Sequence, residues 1–183
     1  MSNELSQLID AAREVGSEVE SHFGKLSADQ LNWKPSASEW SVAQCLEHLI
    51  VSNTSYFPIV ERIARGEYRP SFHERLPLLP RFFGSMVLRV VQPKSQRKFK
   101  AAANFDPTRS EVPPDVIARF KTQQDKLIDY MNNTKDVDLN KIITSPVASI
   151  ATYSLLDGYK IIVAHEQRHL AQAQRVTERG SRQ

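Results

Sequence analysis

Residues 154–178 read SLLDGYKIIVAHEQRHLAQAQRVTE. Serine at 154 with aspartate three residues on predicts a capped helix start. At three- and four-residue spacing one stripe runs Leu155, Gly158, Ile162, His165, His169, Gln172 and Val176. Two imidazoles and an amide therefore stand where the pattern calls for apolar side chains. A buried imidazole is costly unless its nitrogens find partners. Histidines one turn apart point the same way, with β-carbons about 5–6 Å apart. That spacing suits two ligands of one metal ion, whereas a lone core histidine is usually just hydrogen-bonded to its surroundings.

Three more stretches carry a helical period. The first runs through Leu5, Leu8, Ala12, Val15 and Val19. The second opens at EWSVAQCLEHL, where Ser41 and Gln44 form a capping box, and its stripe is Val42, Cys45, Leu49, Ser52, Tyr56, Ile59 and Ile63. The third follows Pro113 and Pro114, a favoured helix-opening composition, with Ile117, Phe120, Gln124, Leu127 and Met131 on its stripe. Strand signals are weak. KIITSPVASI has a short β-branched run, but Pro146 interrupts it, and an extended connection is expected there.

The expected fold is all-α, a four-helix bundle. Helices three and four are about twenty residues apart and helices two and three about fifty, long enough for neighbours to run parallel. The long connection, Gly66 to Val112, is rich in proline and arginine. It holds a candidate short helix, RFFGSMVLRVV, and then the basic run KSQRKFK. That short helix could cover the bundle, join a dimer or touch a membrane surface; packing within the protein is the default for an amphipathic stripe.

Composition narrows the partners. The 183 residues, 40% hydrophobic and 25% charged, suit one domain, 1–183. No apolar run is long enough to span a bilayer. The polar, acidic start MSNELSQLID does not resemble a signal peptide. The single cysteine, Cys45, excludes an internal disulfide and a multi-cysteine zinc site, and it fits the cytoplasm. A net charge of +3 is mild. Arg89, Lys94, Arg97, Lys98 and Lys100 are local charges, better explained as a solvated loop than as a nucleic-acid surface. No nucleic-acid or membrane partner is expected.

A third metal ligand would come from another helix. His48, beside the seam of the second helix, ranks ahead of His22 and then His73. Cys45, one turn before His48, could add a fourth, thiolate ligand, but a single helical cysteine is more often a small buried hydrophobe. Trp33 and Trp40 are expected to pack at the start of the second helix, with Trp40 at the mouth of the site. Gln172 can hold a water, a substrate group or the far nitrogen of a ligand. Glu166, about 100° around the helix from His165, could reach the rim of the site and support it with Gln172, but its default role is a solvated surface carboxylate; no catalytic residue is identified. HEQRH also fits the H-E-x-x-H pattern of zinc proteases. The extended pattern asks for glycine at Gln172 and histidine at Arg175, and only Glu178 is acidic after His169, so that alternative is weak.

The segments LSADQLNWKPSASEWSVAQCLEHL, Leu26 to Leu49, and HEQRHLAQAQRV, His165 to Val176, resemble the two signature regions of the DinB-like superfamily, which includes the YfiT-type proteins. KFKAAANFDP, followed by a proline-led helix, is similar to a common subgroup. The resemblance implies a four-helix bundle with a long crossover between helices two and three. It also implies a metal site at His48, His165 and His169, and a homodimer. Relatives include thiol S-transferases using bacillithiol, mycothiol or glutathione, and metal-dependent hydrolases. The family's link to DNA damage concerns gene induction, not DNA binding.

Three imidazole ligands leave a coordination position open for a small-molecule substrate. Zinc is the first choice of ion, with nickel, iron, manganese and copper also suited to imidazole. Such a site could activate water or hold a thiol as thiolate. The competing class is a metal-binding or stress-related binding protein without turnover.

Overall fold

The computed structural model describes residues 3–72, 74, 79–91, 111–148 and 151–181. The element order is α1 (Asn3–Phe23), α2 (Ala28–Asn32), α3 (Val42–Thr54), α4 (Phe57–Ala64), α5 (Leu79–Val91), α6 (Val116–Asn133), β1 (Ile142–Thr144), β2 (Thr152–Ser154) and α7 (Leu155–Gly180). The fold is all-α with one small hairpin. Helix α1 packs on α6 and α7, and α3 packs on the same two, so the four long helices close a ring. Helix α5 lies across α7 and β2. His73 and the basic run 94–100 lie outside the described residues.

Three local differences from the sequence expectation have physical causes. The second helix is two helices. Pro58 has no N–H to give to Thr54, and its ring disfavours helical geometry at Phe57. The turn tightens instead: Tyr56 N donates to Asn53 O at 3.0 Å, and α4 restarts with Pro58 in its first turn. The apolar period survives the break, since Tyr56, Val60 and Ile63 are all buried. The expected extended connection is an antiparallel hairpin, with Ile143 opposite Tyr153. Pro146 falls between the strands, where it removes no ladder bond. The extra helix α2 is held by its own capping box, Ser27 with Gln30.

Two apolar clusters form the core. One joins Leu5, Ile9 and Ala12 of α1 with α4, Leu127 and Met131 of α6, the hairpin, and the N-terminal half of α7. The other joins Val15, Val19 and Phe23 with α2, most of α3, Val116 and Phe120 of α6, and the C-terminal half of α7. The N-terminal part of α6 thus shares a cluster with α3, and the two helices run in the same direction, as the long crossover permits. Helices α3 and α7 run in opposite directions. Between the clusters lies a buried polar belt: Ser52 and Asn53 of α3, Gln123 and Gln124 of α6, Glu166 and His169 of α7. On α1 and α6 the buried positions shift slightly from the expected stripes. Ile9 and Val116 are buried, whereas Leu8 and Ile117 are only partly so. No helix among the described residues is long and apolar enough to cross a membrane.

Candidate metal centre

Ser41 fixes where α3 begins. Its Oγ accepts from Gln44 N at 3.1 Å, and Gln44 Oε1 accepts from Ser41 N at 3.1 Å. That start leaves Trp40 just outside the helix and points His48 at α7. On α7, Ser154 Oγ accepts from Asp157 N at 3.0 Å, and from that cap the helix carries His165 and His169 on one face.

The three histidines converge. One ring nitrogen from each lies within 4.8 Å of the other two. The Nε2 atoms of His48 and His165 are 3.2 Å apart. Ring centroids are separated by 5.0 Å for His48–His165, 4.7 Å for His48–His169 and 4.6 Å for His165–His169. His48 and His169 are buried, and His165 is partly exposed. Trp40 covers the group, with its ring 5.0 Å from His48 and stacked nearly parallel on His169 at 5.5 Å.

The surroundings keep His165 and His169 neutral. Burial, then the neighbouring His48, then Arg168 push His165 down to about 3. His169 is also held well below its ordinary value, by burial first and then by His165, His48 and Arg168, with only the Gln172 amide opposing. Arg168 donates to Val90 O at 2.5 Å, anchoring the last turn of α5 beside the site. Neutral imidazoles present lone pairs, which is the state a metal ion requires.

The donor set fits a cation. The 3.2 Å contact can be a hydrogen bond between only one pair of the nitrogens. His169 Nδ1 is buried and makes no hydrogen bond of good geometry. Three imidazole nitrogen donors from two helices could hold a divalent ion and leave it incompletely coordinated.

The other candidates stand apart. Cys45 is fully buried, and burial pushes its thiol up to about 12 against the opposing charge of Arg175; it does not join the histidine group. His22 is exposed in the last turn of α1, beside the Phe23 ring. Trp33 packs on Gly180, where an added β-carbon would come within 3.2 Å of the indole.

Glu166 is the main correction. It is not a solvated carboxylate at the rim but is fully buried. Its Oε1 accepts from Asn53 Nδ2 at 2.7 Å and its Oε2 from Gln124 Nε2 at 3.1 Å. Burial pushes it up to about 8 despite those two donors. One residue beyond His165, it is turned some 100° around the helix and faces Asn53 and Gln124 rather than the three rings. The zinc-protease alternative needs this side chain as a general base at the metal, and here it is committed elsewhere. A hint lay in Gln124, a polar residue on an otherwise apolar stripe.

The profile of the DinB superfamily matches residues 11–173. The uncharacterized protein YuaE of Bacillus subtilis (strain 168) is 26% identical over 156 residues, covering 84% of this chain and 87% of that protein. No solved structure gives a significant match.

Proposed function

The chain belongs to the DinB superfamily, and from that premise we propose that it is a metal-dependent enzyme acting on a small molecule. His48, His165 and His169 hold the ion, and the substrate takes the coordination position they leave open. The observation that carries this is the convergence of three imidazole nitrogens, from two helices, within 4.8 Å. Zinc is the first choice for such donors. When bound, the ion supplies Lewis acidity to an oxygen or a thiol, the need shared by hydrolysis and thiol S-transfer.

The protein's own groups prepare the site. Burial and the nearby Arg168 charge keep His165 and His169 unprotonated. Trp40 shields one side of the group from water. Gln172, half-buried one turn after His169, is placed to orient that ring or a polar atom of the substrate. A low-molecular-weight thiol is a fitting co-substrate for the transferase form. The proposal takes residues 1–183 as one domain, dimeric and cytoplasmic, as the family resemblance and the single cysteine suggest.

Metal content tests the ligand set. Wild type and His22→Ala should carry stoichiometric metal by elemental measurement, and His48→Ala, His165→Ala and His169→Ala should each lose it. Equal content in wild type and His169→Ala rejects the site. Turnover of a thiol-conjugation or ester probe should vanish on chelation and return with zinc. Equal turnover by the metal-free protein removes the catalytic part of the proposal.

A further inference from the structure

His165 and His169 share one helix, so their spacing is fixed by the helix itself. The position of His48 relative to them depends on how α3 seats on α7. Apolar packing between these helices is non-directional and tolerates small rotations and slips. Directional contacts do not. Asn53 Nδ2 donates to Glu166 Oε1 at 2.7 Å, joining α3 to α7 inside the belt that carries the histidines. The other carboxylate oxygen accepts from Gln124 Nε2 of α6 at 3.1 Å, and the same nitrogen donates to Ala12 O of α1 at 2.8 Å. Glu166 and Gln124 together thus tie all four helices of the ring. Among the described residues no Lys or Arg forms an ion pair with Glu166. A buried acid without a cation contributes little to stability. What it does contribute is a fixed rotation of α7 against its neighbours.

We infer that Glu166, through Asn53, is the positioning residue of the histidine centre: it sets the seating of α3 on α7 that brings His48 to His165 and His169. Its hydrogen bonds go to Asn53 and Gln124 rather than to the three rings, and it acts through the helices. The inference concerns the geometry of the histidines and rests on the metal proposal only for its affinity readout.

The test compares wild type with three variants by zinc competition against a chromophoric chelator, and by thermal unfolding. Asn53→Leu with Glu166→Met replaces the pair by apolar groups of similar volume and should unfold cooperatively at or above the wild-type temperature. Its zinc affinity should fall at least about tenfold, the usual scale for a group that orients metal ligands. Asn53→Leu alone, which breaks the α3–α7 bond and the longer 3.5 Å contact from Asn53 Nδ2 to Gln123 Oε1 of α6, should show the same loss and decides the matter if the double variant does not fold. Glu166→Gln still accepts from Asn53. Rotation of the Gln124 amide would offer it an acceptor oxygen at the cost of the bond to Ala12 O of α1; the α3–α7 bond stays, so affinity should stay within about threefold of wild type. Wild-type affinity in either folded apolar variant, or a tenfold loss in Glu166→Gln, overturns the inference.

A metal-free readout separates this from the metal proposal. In a Trp33→Phe background, emission from Trp40, stacked on His169, reports the seating of the histidines. It should shift in the apolar variants and not in Glu166→Gln. If wild type takes up no zinc, the metal proposal fails. Unchanged Trp40 emission in the apolar variants then overturns the positioning role, and a shift sustains it.

Discussion

His165 and Glu166 are consecutive in the chain, and burial moves them in opposite directions. In the folded metal-free protein His165 stays neutral down to about 3, whereas an unfolded histidine takes a proton near 6.5. Between those values the unfolded chain binds more protons, so this residue lowers stability as pH falls below 6.5. Glu166 keeps its proton up to about 8, whereas an unfolded glutamate releases it near 4.5. Across that window the folded chain binds more protons, so stability falls as pH rises from 4.5 to 8. Glutamine removes the second effect alone. Metal-free Glu166→Gln should therefore gain on wild type between about pH 5 and 8, by roughly 1–4 kcal/mol in urea denaturation. Parallel stability curves for the two proteins over this range would mean that the carboxylate is not buried as described. The two residues also differ in how far sequence reveals them. His165 and His169 announce themselves by their spacing. The fate of Glu166 depends on which face of α7 meets Asn53 and Gln124, and only the packed helices decide that.

At the scale of elements, α3 depends on its first turn. Ser41 and Gln44 are both buried, so each half of their capping box satisfies an N–H that water does not reach. The matching box of α2, between Ser27 and Gln30, is exposed and governs five residues. Ser41→Ala should cost about 1–2 kcal/mol in chemical denaturation, at the upper end for a lost cap, and Ser27→Ala clearly less. Equal costs would show that burial of the α3 box adds nothing. The Ser41 box could be identified from sequence because its four residues are contiguous and the stripe behind it is apolar. The end of α3 was harder, because Tyr56, Ile59 and Ile63 continue the same period across Pro58 and mask the break. The hairpin was hidden for the converse reason. Each strand has three residues, too few for a pattern, and pairing of Ile143 with Tyr153 is set by packing against α5 and α7 rather than by local sequence.

At the scale of the molecule, two apolar clusters are joined through a polar belt, and the belt contributes less apolar burial than either cluster. The histidines sit in this belt, on α3 and α7, whose separation must widen when the ring opens. An ion held by both helices binds the folded chain and not the unfolded one, so it stabilises by mass action. With zinc free at a hundred times its dissociation constant, the gain is about 2.7 kcal/mol. For a chain of this length each kcal/mol raises the unfolding temperature by about 2–4 °C, so zinc should raise it by about 5–11 °C over the chelated protein. His48→Ala leaves two ligands on one helix and removes the bridge between elements. In that variant the zinc-dependent rise should collapse, even though α7 keeps its own pair. An equal rise in wild type and His48→Ala would place the ion on α7 alone, and no rise in wild type would mean that the belt holds no metal.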